Sequence, residues 1–320
     1  MKVQPLLALV GPTGTGKTEA AVRIAEALGG EIVSVDASTV YRGMDAGTAK
    51  PTPEERSRVP HHLIDVADPE EPFSVARYQR LAFEAIEEIS GRGRPTLLVG
   101  GSGLYYRAVV DRLEFPGTDP SVRTMLEAEA SAVGPEALHA RLRSFDPAAA
   151  GRMDPSNSRR TVRALEVAAI TGRPFSSFGR EWVRYRPGRV RAAAVSLPRD
   201  ALYRRIENRA SESLDGILAE TRRLLERGAG PFLTSIQAIG YAEAMEVLAG
   251  RMERPDALRA VIRRVKALAR RQMAWFRRDP RVQWFVAGEG GAAEIADQLS
   301  EFMGQAMAGT GRRTAPAWAR

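Results

Sequence analysis

The sequence predicts an α/β fold: a parallel sheet core with helices on both faces, a helical insertion, and a helical C-terminal part. Two observations carry this. As far as Asp111, short apolar runs alternate with helix-forming stretches, and that alternation builds a parallel sheet covered on both sides. Beyond Asp111 the strand signals stop and polar-faced helical spacing takes over, until an apolar run resumes at Arg191. With 320 residues, 44% of them hydrophobic, the chain can fill a full-sized core and still carry a second unit.

The first strand is expected at Leu6–Val10. It runs into Gly11-Pro12-Thr13-Gly14-Thr15-Gly16-Lys17-Thr18, which matches G-x-x-x-x-G-K-[ST], and then into the helix-forming stretch Glu19–Leu28. Strand, glycine-rich loop and helix in this order form a P-loop, so the core is P-loop NTPase-like. Its glycines let successive N–H groups turn inward, and the helix N-terminus adds a positive dipole end. Lys17 is expected on the terminal phosphate and the Thr18 hydroxyl on Mg²⁺. The motif alone does not say which polyphosphate is held.

A second strand is expected at Glu31–Asp36, and after a Gly- and Pro-rich loop a helix at Val75–Ser90. Pro95–Gly100 reads as the third strand, and Gly100-Gly101-Ser102-Gly103 opens a helix at Leu104-Tyr105-Tyr106. Asp119-Pro120 and Gly134-Pro135 mark the starts of helices at Ser121–Ala132 and Pro135–Ser144. Helical spacing continues to about Ala169 and gives way to an arginine-rich loop. Arg191–Leu197 is strand-like and rejoins the sheet; from Arg199 the chain is mostly helical until a last strand at Val282–Val286. The expected organisation is a P-loop core over residues 1–112 and a helical, arginine-rich insertion over 113–189. The rest of the core, helical and basic, spans 190–303, and a disordered tail spans 304–320.

Composition excludes several chemistries. There is no cysteine, so disulfides, thiolate catalysis and cysteine-held zinc are out. Of three histidines, His61 and His62 are adjacent and lack carboxylate spacing for a metal; they read as structural or substrate-contacting. No signal-peptide pattern and no membrane-length apolar run is present, which makes a soluble cytoplasmic protein the expectation. The net charge of +8 is concentrated: Arg251–Arg281 holds eleven basic and three acidic residues, Arg152–Arg191 ten and three. Two basic segments on an otherwise acidic chain suit a polyanion, although a solvated arginine-rich surface has the same composition.

Four features could carry chemistry. Asp36 ends the second strand, where open α/β sheets bind ligands, and suits a general base or indirect metal holder; a turn aspartate is the plainer reading. Ser102, flanked by glycines at the same sheet edge, can approach a ligand closely. Arg205 and Arg209 share a helix face and suit a pyrophosphate, or simply line a charged surface. The segment Arg270-Arg271-Gln272-Met273-Ala274-Trp275-Phe276-Arg277-Arg278 fits RNA stacking, and equally an amphipathic helix with buried aromatics.

Taken together, these pieces resemble the bacterial tRNA isopentenyltransferases, the tRNA dimethylallyltransferase family. The resemblance rests on Gly11–Thr18, the run from Asp36 through Met44-Asp45-Ala46-Gly47-Thr48-Ala49-Lys50-Pro51, Pro60–Asp65, and Leu98–Tyr105. It continues through Arg159–Val167, Ile239-Gly240-Tyr241, and Ala269–Gln272 with Trp275-Phe276-Arg277, in order over about residues 5 to 285. It implies transfer of a dimethylallyl group from dimethylallyl diphosphate to N6 of the adenine just 3′ of the tRNA anticodon. The P-loop would hold that diphosphate, not ATP, with Mg²⁺ on Thr18. Asp36 matches the family's general base, Ser102 stands where threonine is usual, and Lys17, Arg205 and Arg209 would neutralise the leaving group. Contacts to tRNA are implied for Asp36, Ala37, Ser38, Thr39, Ser102, Arg123, Arg159, Arg160, Thr161, Val162, Arg163, Ile239, Gly240 and Tyr241. A monomer suffices.

The chain departs from the family pattern at Ala37, where serine is usual, and at Asp154-Pro155-Ser156-Asn157, where His-Pro-Asn-Asp is common. These bear on RNA contacts and leave the reaction class intact. Three rival readings share the P-loop: a small-molecule kinase, an isopentenyltransferase of free adenine nucleotides, and a non-catalytic RNA-binding switch.

Overall fold

The structure is a computed structural model that describes residues 6–179, 184–187, 190–230, 232 and 234–308. Its first compact unit comprises Met1–Asp111 and Arg186–Arg320, its second Arg112–Tyr185.

The first unit runs β1 (Leu6–Val10), α1 (Lys17–Leu28), β2 (Glu31–Ser34), α2 (Pro53–Arg58), β3 (His61–His62), α3 (Val75–Gly91), β4 (Thr96–Gly100) and α4 (Gly103–Val110). The second unit holds α5 (Pro120–Val133), α6 (Pro135–Phe145), α7 (Pro147–Ala150), α8 (Ser158–Thr171) and α9 (Phe175–Phe178). The chain then completes the first unit with β5 (Arg191–Ser196), α10 (Arg199–Glu226), α11 (Tyr241–Leu248), α12 (Arg254–Phe276), β6 (Val282–Val286) and α13 (Ala296–Ala308).

The strands pair in the order β3-β2-β4-β1-β5-β6, every pair parallel. Side-chain alternation sorts the apolar runs onto two faces. Ala8, Val10, Val33, Leu98, Ala192 and Ala194 face one core with Tyr78 and Ile89 of α3 and Tyr106 of α4. Leu7, Leu9, Ile32, Leu97, Ala193 and Val195 face the other, against Val22 and Ile24 of α1 and Leu299 and Met303 of α13. The predicted fold class therefore holds.

Three details differ from the expectations. His61 and His62 form a short edge strand, pairing with Ile32 and Val33, that two residues could not announce in sequence. The second strand stops at Ser34, which leaves Val35 and Asp36 beyond the ladder. The tail does not begin at residue 304: α13 runs to Ala308, with Phe302 and Met303 buried under the sheet. Residues 309–320, expected to be disordered, lie outside the described residues.

The second unit has its own core of Leu126, Leu138, Leu142, Val162 and Leu165. At its centre Glu166, 0% exposed, accepts from Arg123 Nη2 at 2.7 Å, Arg163 Nη1 at 2.7 Å and the Asp119 N–H at 3.1 Å. Burial pushes the Glu166 carboxyl up, but the two guanidiniums outweigh it and hold the group below the usual carboxylate range.

Candidate active site

The carboxyl ends of β1, β2 and β4 lie side by side, with Val10 opposite Gly100 and Ser34 opposite Val99. The chain therefore delivers Gly11–Gly16, Asp36 and Gly100-Gly101 to one edge, where open parallel sheets bind ligands. These three segments line one cavity of about 400 Å³. Gly16 caps α1 at φ 78°, and Gly14 has φ 87°; both are left-handed conformations that glycine adopts without strain.

Lys17 reaches back to donate to the Pro12 carbonyl at 2.6 Å. Burial lowers its pKa to about 8, Asp36 works to raise it, and Arg209 lowers it further. Asp36 Oδ1 accepts from both the Ser38 N–H (2.9 Å) and the Ser38 hydroxyl (2.6 Å). No described residue donates to Oδ2, so one carboxylate oxygen is anchored and the other is open.

Arg205 and Arg209 project from α10 to the same cavity, in different states. Arg205 donates to the Gly14 carbonyl at 3.0 Å and the Glu289 carbonyl at 2.9 Å, bracing the P-loop against the β6–α13 connection. The Ala292 N–H, donating to the Thr15 carbonyl at 2.8 Å, adds to that brace. Arg209 hydrogen-bonds to no described residue, and burial lowers its pKa against the pull of Asp36. An unpaired guanidinium beside Lys17 is a ready anion contact.

Thr13, Gly14, Asp36, Thr48, Arg209 and Gln272 also line an adjoining cavity of about 90 Å³. Its remaining wall is largely aliphatic, including Ile206, Ile217, Ile239, Val261 and Leu268. A charged cradle and an apolar pocket thus meet at Asp36. Thr18, in the first turn of α1, lines the larger cavity. A Mg²⁺ ion keeps several waters and takes one or two protein oxygens besides phosphate, so this hydroxyl fits that role. Among the described residues no cluster of three or more His, Cys, Asp or Glu side chains competes for it.

The Met44–Pro51 segment is held from within. Lys50, its side chain 2% exposed, donates to the Tyr41 carbonyl (2.5 Å) and to carboxylate oxygens of Asp45 and Asp65 (both 2.6 Å). Buried Glu220 accepts from the Asp45 and Ala46 N–H groups at 3.1 Å and from the Tyr241 hydroxyl at 2.7 Å. These bonds fix Thr48 and Ala49 on the cavity wall. His61 joins that wall; its Nδ1 donates to the Val59 carbonyl at 2.7 Å, and burial lowers its pKa.

The residues expected to touch ligand or RNA differ in their surroundings. Gly100 and Gly101 line the cavity, whereas Ser102 sits one step beyond as the N-cap of α4. Tyr241 is 3% exposed with its hydroxyl on Glu220, so it holds the fold; Gly240 is buried beside it. Thr161 and Val162 are enclosed in the second unit's core, and Arg123 and Arg163 are committed to Glu166. Thr39, 6% exposed, shares a hydrogen bond with the Ser34 hydroxyl at 2.9 Å and lines the larger cavity. Ala37, Arg159 and Arg160 are exposed, and Ser38 and Ile239 partly so. In the basic segment Phe276 is fully buried against Tyr106, as an amphipathic helix requires. Trp275 lies over Gly103, where a Cβ would fall 2.1 Å from its ring.

Sequence reasoning passed over Gln272. Its Oε1 accepts from the Thr13 N–H at 2.8 Å, and it lines both cavities. The only sequence signal was its place in the Ala269–Gln272 run.

A family model described as IPP transferase matches residues 39–279. The chain belongs to the IPP transferase family. A protein of Salinispora tropica named tRNA dimethylallyltransferase is 48% identical over 291 residues, covering 90% of this chain and 91% of its own. One of the same name from Moorella thermoacetica is 46% identical over 314 residues, covering 95% and 96%. Among solved structures, the full-length tRNA isopentenylpyrophosphate transferase of Bacillus halodurans superposes with a TM-score of 0.69 at 39% identity, covering 96% of this chain and 98% of that one. A eukaryotic dimethylallyltransferase acting on tRNA shares the fold, with a TM-score of 0.71 at 23% identity, covering 89% and 74%. Among the described residues no helix is long and apolar enough to cross a membrane.

Proposed function

We propose that this IPP transferase moves the dimethylallyl group of dimethylallyl diphosphate onto N6 of the adenine just 3′ of the anticodon in tRNA, releasing diphosphate. The observation that carries this reading is the open Asp36 oxygen where the cationic cradle meets the aliphatic pocket. A kinase needs the cradle but not that pocket.

In this reading the P-loop N–H groups, Lys17 and Arg209 bind the diphosphate, and Arg205 keeps the loop in shape. The aliphatic wall receives the five-carbon group. The adenine, taken out of its stack, presents N6 to the allylic carbon. The N6 lone pair forms the new C–N bond as the C–O bond breaks, and diphosphate leaves with the bonding electrons. The N6 proton passes to the open oxygen of Asp36. Charge growing on the departing oxygen is met by Lys17 and Arg209, and such stabilisation is usually the largest catalytic contribution. Mg²⁺ held by Thr18 would supply further positive charge to the diphosphate. The exposed Arg159 and Arg160 of the helical unit, with Ala37 and Ser38, are assigned to RNA. Every group named comes from one chain, so a monomer suffices, and a tRNA substrate suits the cytoplasm.

Diphosphate release tests the reading. Release that requires dimethylallyl diphosphate and unmodified tRNA together supports it. Transfer of a phosphoryl group from ATP to an acceptor, with no such release, rejects it in favour of a kinase.

A further inference from the structure

The carboxamide of Gln272 is held in a single orientation. The Thr13 N–H is a donor, and only the carboxamide oxygen can accept from it, so the NH₂ group must point the other way. That nitrogen occupies space that only glycine leaves at position 101: a Cβ there would lie 2.1 Å from Nε2. No described residue accepts from Nε2. Among the described residues, the fully buried side-chain polar atoms without a partner are Tyr106 Oη and Ser177 Oγ, so Nε2 opens into the cavity.

The junction between the two cavities is lined by Thr13, Gly14, Asp36, Thr48, Arg209 and Gln272. The Thr13 N–H is taken by Gln272, and the Thr48 hydroxyl donates to the Met44 carbonyl at 2.6 Å. Arg209 is a full cation suited to phosphate. Besides Arg209, the Thr13 hydroxyl and the Gly14 N–H of the phosphate loop, the junction offers an open acceptor, Asp36 Oδ2, and a neutral side-chain amide donor, Gln272 Nε2. Adenine presents the complementary pair on adjacent atoms, N6–H as donor and N1 as acceptor. Guanine reverses both, with O6 and N1–H.

We propose that Gln272 reads the target base, donating Nε2–H to N1 of the adenine whose N6 faces Asp36. This inference rests on the prenyl-transfer reading above. The contact orients N6 toward the allylic carbon and makes Gln272 a specificity-determining residue.

The test uses the full chain, dimethylallyl diphosphate, Mg²⁺ and two anticodon stem-loop RNAs, with adenine or 1-deazaadenine at the target. The unaltered enzyme should lose about 10²-fold in kcat/KM on the 1-deaza RNA, the scale of one base-edge contact. Gln272→Glu keeps an oxygen for the Thr13 N–H and removes the donor. It should lose a similar factor on adenine, show little further loss on 1-deazaadenine, and bind dimethylallyl diphosphate within about threefold of the unaltered enzyme. Equal use of both RNAs by the unaltered enzyme overturns the proposal, as do losses that multiply in the variant. If Gln272→Glu does not fold, the unaltered enzyme's comparison of the two RNAs decides alone. If the adenine RNA itself gives no product, the prenyl-transfer reading has failed and this inference falls with it.

Discussion

Arg205 and Arg209 stand one helical turn apart on α10, yet only Arg205 is bonded to protein, donating to the Gly14 and Glu289 carbonyls. Arg209 faces the same cavity with no described hydrogen-bond partner. The shared helix face made them look equivalent; the structure separates a brace from a guanidinium that hydrogen-bonds to no described residue. Arg205→Ala should lower Tm by a few degrees, the loss of about 2 kcal/mol of charge-assisted hydrogen bonding. Arg209→Ala should leave Tm unchanged or raise it slightly, because an unpaired half-buried charge is removed, and weaken diphosphate binding about 10–10²-fold. Thermal melts and calorimetric titration with dimethylallyl diphosphate check both; matching effects from the two variants contradict the division.

Lys17 gives the site a pH dependence. Burial lowers its pKa to about 8, so the ammonium is present below that value and lost above it. A bound anion favours the charged form, so diphosphate affinity should fall as pH rises through 8, by up to about tenfold per unit. Lys17→Met should remove that slope. For stability the sign is opposite. The unfolded lysine, near 10.5, binds more protons between the two values, so Lys17 makes the fold more stable as pH rises from about 8. Affinity measured from pH 7 to 9.5 decides, and a flat profile for the unaltered protein contradicts the assignment.

Much of this was legible locally. The P-loop is one continuous octapeptide, and Asp36 announces itself by closing the apolar run that begins at Ile32. The brace on the loop was not: Glu289, Ala292 and Gln272 reach it from far along the chain. The two-residue strand at His61 leaves too short a pattern to read. Tyr241, Thr161 and Val162, expected on RNA, are buried here, and family position does not report burial. The pairing of Arg123 and Arg163 with Glu166 could not be read either, because it appears only when α5 and α8 pack together.

Glu220 and Tyr241 support the Met44–Pro51 segment. Glu220→Ala leaves the Asp45 and Ala46 N–H groups and the Tyr241 hydroxyl without their acceptor, at a cost of about 2–4 kcal/mol. Tyr241→Phe should cost about 1 kcal/mol and leave tRNA affinity within about twofold. Urea unfolding and filter binding check this. A large loss of tRNA affinity in a stable Tyr241→Phe would return the phenol to the RNA interface.

On the helical unit, neutralising exposed Arg160 should flatten the salt dependence of tRNA binding by about one unit of log–log slope. Arg163→Ala should instead destabilise its unit, since buried Glu166 loses one of its two guanidinium partners. Affinity titrations across a salt series, with melts alongside, separate the two. An unchanged slope for Arg160→Ala would mark it as surface charge.

On the proposed function, the cradle holds a leaving diphosphate whose carbon partner goes to a tRNA adenine beside Asp36. Mass spectrometry of unmodified tRNA after incubation with enzyme, dimethylallyl diphosphate and Mg²⁺ tests it most directly. The expected product is N6-dimethylallyladenosine just 3′ of the anticodon, made about 10²–10⁴-fold more slowly by Asp36→Ala in single turnover. An unmodified adenine with the unaltered enzyme, or normal turnover by Asp36→Ala, would contradict it.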